Sequence, residues 1–283
     1  MAKVAIITDS TSYLPENLRE EKNIVMIPLN VIINNETYKE EVELSNDDFY
    51  DMVGTEGALP KTSQPAIGEL VELLEKLSAD YDEAVMITLS SGISGTYQSA
   101  AAAGGMIEGI KLHVFDSEIS CAPQGFYVEK AAEMAAAGSA GDEIMYTLEA
   151  MKAQGIPAYF VVDDLNHLHR GGRLNTAQLL VGNFLQIKPI LHFEDKKIVP
   201  FEKVRTKKKA IKRIYEIMDN DIQPGDDIRV CVIHARREEE AKEILAEILE
   251  KYPHADITMS YFGPVIGTHL GEGSLGITWY KKR

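Results

Sequence analysis

Only two cysteines occur in 283 residues, Cys121 and Cys231, and they lie far apart in the chain. That excludes a disulfide framework and leaves two reduced core thiols in a cytosolic protein as the expectation. Positive charge is also scarce: 29 Lys and Arg stand against 44 Asp and Glu, a formal net charge of −15. So acidic a balance argues against general nucleic-acid binding, which needs a basic face to displace counterions. Anionic lipid headgroups would repel it, which leaves at most transient membrane contact. No apolar run approaches the ~20 residues of a membrane span. Asp9 interrupts the apolar stretch that follows Lys3 before a signal peptide can form. A cytoplasmic location is expected.

What remains is an ordinary globular composition, 45% hydrophobic and 26% charged, long enough for one large domain or two ordinary ones. The first half alternates strand and helix signals. Val4–Ile7 reads as a short buried strand, and Ile24–Ile33 as a long β-rich run broken by Pro28. Helical patterns follow near Asp47–Val53 and Ile67–Leu77, then strand Ala84–Leu89, helix Tyr97–Met106 and strand Leu112–Phe115. Helices near Phe126–Ala137 and Asp142–Gln154 close this half. Such alternation implies βαβ units and a mostly parallel sheet. Gly155-Ile156-Pro157 is a natural breakpoint, giving one α/β lobe over 1–155 and a second over 156–283. In the second half, strands are expected at Ala158–Val162, Ile187–Phe193, Ile198–Phe201, Arg229–Ile233, Ile257–Tyr261 and Gly276–Tyr280. Helices are expected at Lys207–Met218 and Glu238–Lys251. Asp195-Lys196-Lys197 reads as a hairpin tip, so this half should carry a mixed sheet.

Three polar segments carry the chemistry. The apolar run ending at Leu89 stops at Ser90-Ser91-Gly92-Ile93-Ser94-Gly95-Thr96, and an alanine-rich helical run follows. A strand-to-helix turn of this kind offers free backbone N–H groups and hydroxyls, enough to hold an oxygen-rich head group without a charged side chain. No Gly-Lys-Ser/Thr follows, so it is not a Walker loop. Thr96 stands where a nucleophile elbow would have its second glycine. Ser90, Ser91, Ser94 and Thr96 exceed what capping needs, and open α/β sheets bind ligands at this end of a strand. A second segment, Pro60-Lys61-Thr62-Ser63-Gln64-Pro65, also opens a helix. A third, Gly263 to Gly276, sets five glycines around His269.

Other features invite blander readings. Asp9-Ser10-Thr11 after the first strand suits a helix cap better than a metal. His167 and His169 lack further ligands at zinc spacing. The acidic side of Glu238–Lys251 is a solvated face. Arg170, Arg173, Arg205 and Lys207-Lys208-Lys209 stand out as basic clusters in an acidic chain, and a docking patch is the sharper reading of them.

Taken together, Thr8-Asp9-Ser10-Thr11, Thr62-Ser63-Gln64-Pro65, Ser90 to Tyr97, Arg170-Gly171-Gly172-Arg173, Lys188-Pro189-Ile190 and Gly267-Thr268-His269 resemble the DegV family of bacterial fatty-acid-binding proteins. The motifs fall in the family's order, and the resemblance spans about 3–281. It implies a two-lobed DegV-like fold. It also implies a role as the non-catalytic, lipid-carrying subunit of a fatty acid kinase in phospholipid metabolism. Such a subunit binds one long-chain fatty acid and presents its carboxyl group to a separate ATP-dependent kinase, which makes the acyl-phosphate. By the resemblance, Thr62, Ser94 and His269 hold the carboxylate, supported by Ser63, Ser91, Gly95, Thr96 and Thr268. Arg170, Arg173 and Arg205 would face the kinase. No cofactor and no metal are implied.

The chemistry is consistent with a carrier. Hydroxyls and an imidazole bind a carboxyl weakly, so affinity has to come from the chain at ~0.8 kcal/mol per buried methylene. A long tail in a buried apolar tunnel would supply on the order of 10 kcal/mol gross, before ordering costs. The alternative is a serine-type esterase with Ser94 as nucleophile and His269 as base, which requires an acidic orienter and an oxyanion hole.

Overall fold

The computed structural model describes residues 2–56, 59–174 and 188–282. Two compact units divide the chain, Met1–Gly155 and Ile156–Arg283. Gly155 ends the helix Gly141–Gln154 with a positive φ of 80°, a conformation that glycine adopts freely.

In the first unit, β1 (Val4–Asp9), β2 (Ile24–Ile27), β6 (Glu83–Thr88) and β7 (Lys111–Asp116) form a parallel sheet in the order β2-β1-β6-β7. Its central strands are apolar on both faces because helices cover both. Ala5, Ile7, Ala84 and Met86 pack against Leu70, Leu74, Ala100 and Ala103 from the helices Ile67–Leu77 and Thr96–Gly104. The helices Ala122–Ala136 and Gly141–Gln154 contact the same sheet's strands as well. A separate antiparallel sheet, β4-β3-β5, is built from β3 (Asn30–Ile33), β4 (Glu36–Lys39) and β5 (Lys61–Ser63).

The apolar run Ile24–Ile33 is thus two strands in two sheets. Pro28 lies at the break, where it removes a ladder donor, and Leu29 redirects its N–H to the Ser10 hydroxyl at 3.0 Å. Strands β4 and β5 are short and mostly exposed, so their residues lack the apolar alternation by which a strand is read. Hence Lys61–Ser63, expected as a loop opening a helix, is instead the third strand of this sheet.

The second unit holds a mixed six-stranded sheet in the order β10-β9-β8-β13-β11-β12. Its strands are β8 (Ala158–Val161), β9 (Ile190–Glu194), β10 (Lys197–Glu202), β11 (Ile228–His234), β12 (Asp256–Tyr261) and β13 (Leu275–Lys281). Only the β11–β12 pair is parallel. Asp195 and Lys196 both have positive φ and make a two-residue hairpin. Lys197, expected in the tip, already pairs with Glu194. Ile187, expected to start β9, lies outside the described residues.

Helices Lys207–Asp221 and Glu238–Lys251 bury Ile211, Ile214, Met218, Ala241, Ile244 and Ile248 against this sheet. Trp279 lies fully buried in that core, and its indole N–H donates to Asp221 at 2.7 Å.

Candidate functional site

In the parallel sheet the chain leaves β1 for β2 on one side, while β6 lies on the other. The carboxyl ends of β1 and β6 therefore flank a topological switch point, where open α/β sheets bind ligands. Asp9 ends β1 and is fully buried. Its Oδ1 accepts from the Thr11 amide at 3.0 Å and lies 2.6 Å from the Thr11 hydroxyl. Its Oδ2 accepts from the Leu89 amide at 2.7 Å. Burial pushes the Asp9 carboxyl above its ordinary range, while the Thr11, Leu89 and Gln124 hydrogen bonds oppose that shift. The expected cap is present, on a short 3-10 helix over Ser10–Ser12. Among the described residues no cluster able to hold a metal ion is found.

The hydroxyl-rich turn follows β6 directly. Ser90 accepts at its carbonyl from the amides of Ile93 and Ser94, both at 3.2 Å, which folds the turn on itself. Ser91 donates its hydroxyl to Asp116 Oδ2 at 2.5 Å and its amide to Oδ1 at 3.0 Å, so it braces the turn. Ser94 and Thr96 share a hydrogen bond of 2.9 Å between their hydroxyls, and Ser94 Oγ accepts from the Thr96 amide at the start of helix Thr96–Gly104.

The Thr62 segment meets this turn. Gln64 donates to the Ser99 hydroxyl at 3.0 Å, and its amide lies over Gly95, where a Cβ would stand 2.5 Å from Gln64 Oε1. A side chain at position 95 would displace that glutamine. Thr62 is half-buried on β5 opposite Val31, whereas Ser63 is exposed beside the Asn30 amide. Thus Thr62 and Ser94, chosen from sequence, lie on two segments that Gln64 ties together.

His269 lies in the second unit, on a buried helix, Pro264–Leu270, and not in an open glycine loop. Gly263 precedes that helix, Gly267 lies inside it, and Gly271 ends it. Thr268 spends its hydroxyl on the Pro264 carbonyl at 2.8 Å, one turn back, so its role is in the helix. Burial, with Arg173 and His167 nearby, pushes the His269 imidazole down to about 3. It is neutral at physiological pH.

The Arg170-Gly171-Gly172-Arg173 motif now has a steric reason. A Cβ on Gly171 would lie 2.3 Å from His269 Nδ1, so only glycine lets the backbone approach the ring. Arg173 is half-buried and donates to the Gly171 carbonyl at 2.6 Å. Arg170 and Arg205 are exposed. Lys207 does not belong to a free basic run: it pairs with Asp163 at 3.1 Å and donates to the Gly273 carbonyl at 2.8 Å.

Sequence reasoning missed Glu40, Gln64, Gln124 and Asp163, all of which hold these segments through long-range contacts. Only Gln64 stood inside a motif that sequence had singled out. No described helix is long and apolar enough to cross a membrane.

The family model described as "Uncharacterised protein, DegV family" matches residues 3–282. Protein DegV of Bacillus subtilis (strain 168) is 56% identical over 277 residues, with 98% of each chain covered. The crystal structure of DegV, a fatty acid binding protein from Bacillus subtilis, superposes with a TM-score of 0.95 at 55% identity, covering 100% of both chains. That of a fatty acid binding DegV family protein from Streptococcus agalactiae does so with a TM-score of 0.91 at 35% identity, again over 100% of both chains. With the parallel sheet of the first unit, the mixed sheet of the second and a family match over nearly its whole length, this chain belongs to the DegV family.

Proposed function

We propose that this protein binds one long-chain fatty acid and presents its carboxyl group to a separate ATP-dependent kinase subunit, which forms the acyl-phosphate for phospholipid metabolism. The carboxyl group is assigned to Thr62 and Ser94, with His269 as a further partner, and the tail to a buried apolar tunnel. Ser63, Ser91, Gly95, Thr96 and Thr268 support the segments that carry them. The observation that carries the reading is the neutrality of these groups: hydroxyls at a helix start and an imidazole whose basicity burial has suppressed. Neutral donors hold a carboxyl group modestly and leave it accessible to chemistry performed by a partner. Two relatives named as fatty acid binding, each similar over its full length, point the same way.

The esterase reading fares worse on the same geometry. A general base works best with a pKa near the operating pH, and an imidazole held at about 3 is far too weak.

Organic extraction of the purified protein followed by mass spectrometry should yield a fatty acid, and titration should show saturable binding. Thr62→Ala and Ser94→Ala should each weaken it about fivefold, the value of one hydrogen bond near 1 kcal/mol. Unchanged affinity in both variants would remove the head-group assignment. An activated ester should give no burst of product, and a burst would revive the esterase. Arg170, Arg173 and Arg205 are assigned to kinase docking, where guanidinium groups also suit oxyanions.

A further inference from the structure

Two consecutive residues at the end of β1 reach the two hydroxyl-bearing segments separately. Asp9 Oδ2 accepts from the amide of Leu89, the residue just before the Ser90 turn that holds Ser94. Its other oxygen is fixed by the Thr11 amide and hydroxyl. Thr11 is in turn 3.0 Å from Gln124 Oε1, and Gln124 donates to Thr8 at 3.3 Å. The carboxylate has little freedom to turn.

Ser10 works in the other direction. Its hydroxyl accepts from the Leu29 amide at 3.0 Å and donates to Glu40 Oε2 at 2.5 Å. Leu29 immediately precedes β3 and Glu40 immediately follows β4, so one hydroxyl holds both ends of that hairpin. Tyr13 donates to the second Glu40 oxygen at 2.9 Å. The next strand on β3 is β5, which sets Thr62 opposite Val31. Asp9, Ser10 and Glu40 are all fully buried.

We infer that Asp9 and Ser10 are positioning residues for the carboxyl group, Asp9 acting through the Ser94 turn and Ser10 through the strand that carries Thr62. This rests on the fatty acid reading above. The physical need is plain: neutral hydroxyl donors contribute only when held in place, and a site loosened by an ångström loses most of that contribution. Fully buried carboxyl groups, each held by several hydrogen bonds, supply that rigidity from inside the fold.

The experiment is titration of each variant with a fatty acid and with its methyl ester, which shares the tail but not the ionised head. Asp9→Asn keeps the shape but replaces one acceptor oxygen by a donor. Ser10→Ala removes both bonds that hold the hairpin. Each should lower free-acid affinity five- to tenfold while changing ester affinity less than twofold. On a Thr62→Ala background, Ser10→Ala should leave the acid-to-ester ratio where it was, and on a Ser94→Ala background Asp9→Asn should do the same. The crossed pairs should multiply.

Equal losses for acid and ester would mean a merely structural role and overturn the inference, as would an undiminished Ser10 effect without the Thr62 hydroxyl. If either variant fails to fold, Thr11→Val and Tyr13→Phe loosen the same two carboxylates more gently and take its place in the cycle. Binding of neither ligand by the unaltered protein would defeat the fatty acid reading itself. Binding that responds to Thr62 and Ser94 but not to Asp9 and Ser10 would defeat only the positioning.

Discussion

The two units hold their polar segments by opposite means. In the first, the braces are buried carboxylates saturated by amide and hydroxyl donors: Asp9 by Thr11 and Leu89, Glu40 by Ser10 and Tyr13. In the second, partly exposed ion pairs gather at Asp163 and at Glu272, near the end of the His269 helix. Lys207 and Lys188 meet Asp163, and Arg237 meets Glu272. Buried hydrogen bonds are little affected by salt, whereas exposed ion pairs are weak and screened. The first arrangement is insensitive to ionic conditions; the second adds ion pairs that salt weakens to a loop whose backbone is already bonded to Ala235.

The largest effect should come from breaking the first kind of brace. Glu40→Ala removes the buried acceptor of both the Ser10 and Tyr13 hydroxyls, at about 1–3 kcal/mol each. Denaturant unfolding should show a loss of about 2–6 kcal/mol, unchanged between low and 0.5 M salt on the same reasoning.

Next comes His269. An imidazole whose folded value is about 3 stays neutral in the fold while the unfolded chain takes up a proton below its ordinary value of 6.5. Its contribution is therefore fully present above about pH 6.5 and is lost as the pH falls toward 3. Between pH 7 and pH 4 the unaltered protein should lose about 2–3 kcal/mol more than His269→Gln does. Parallel stability curves would show that the ring is not buried as described.

A smaller effect is expected from Lys207→Met, which removes the pair with Asp163 and the bond to Gly273. About 1 kcal/mol should be lost at low salt and clearly less at 0.5 M. A salt-independent loss would erase the contrast between the units.

The smallest effect on stability should belong to exposed Arg205. Arg205→Ala should move the melting temperature by less than about 2 °C and leave fatty acid binding intact. Kinase-dependent acyl-phosphate formation should nevertheless fall, and normal turnover would remove Arg205 from the docking face.

Much of the fold is legible locally. Ile67–Leu77 and Glu238–Lys251 have the boundaries that their helical apolar spacing predicts. Strands β6, β7 and β11 fall within a residue of their expected limits. The failures share one cause. Strand β5 is three residues of polar sequence that become a strand only because β3 supplies partners. The helix around His269 is only seven residues long and is flanked by Gly263 and Gly271, with Gly267 inside, so the glycines of the segment mask it, and burial of all seven residues outweighs the poor helix propensity of Gly267. Helix Asn166–Arg170 was likewise hidden, being five residues long and without apolar periodicity.

Sequence alone determined the alternation of strands and helices and the hydroxyl-rich chemistry of the turn at Ser90–Thr96, because both are written in neighbouring residues. Its net charge of −15 also set the expectation that nucleic acid is not a partner. Only the tertiary structure decided that Asp9 reaches Leu89, 80 positions away, and that Ser10 reaches Glu40, 30 positions away. It alone revealed that Gly171 must be glycine for the sake of His269. Propensity and periodicity act over a few residues, whereas a buried hydrogen bond or a close approach is set by which strands become neighbours, and that has no local signature.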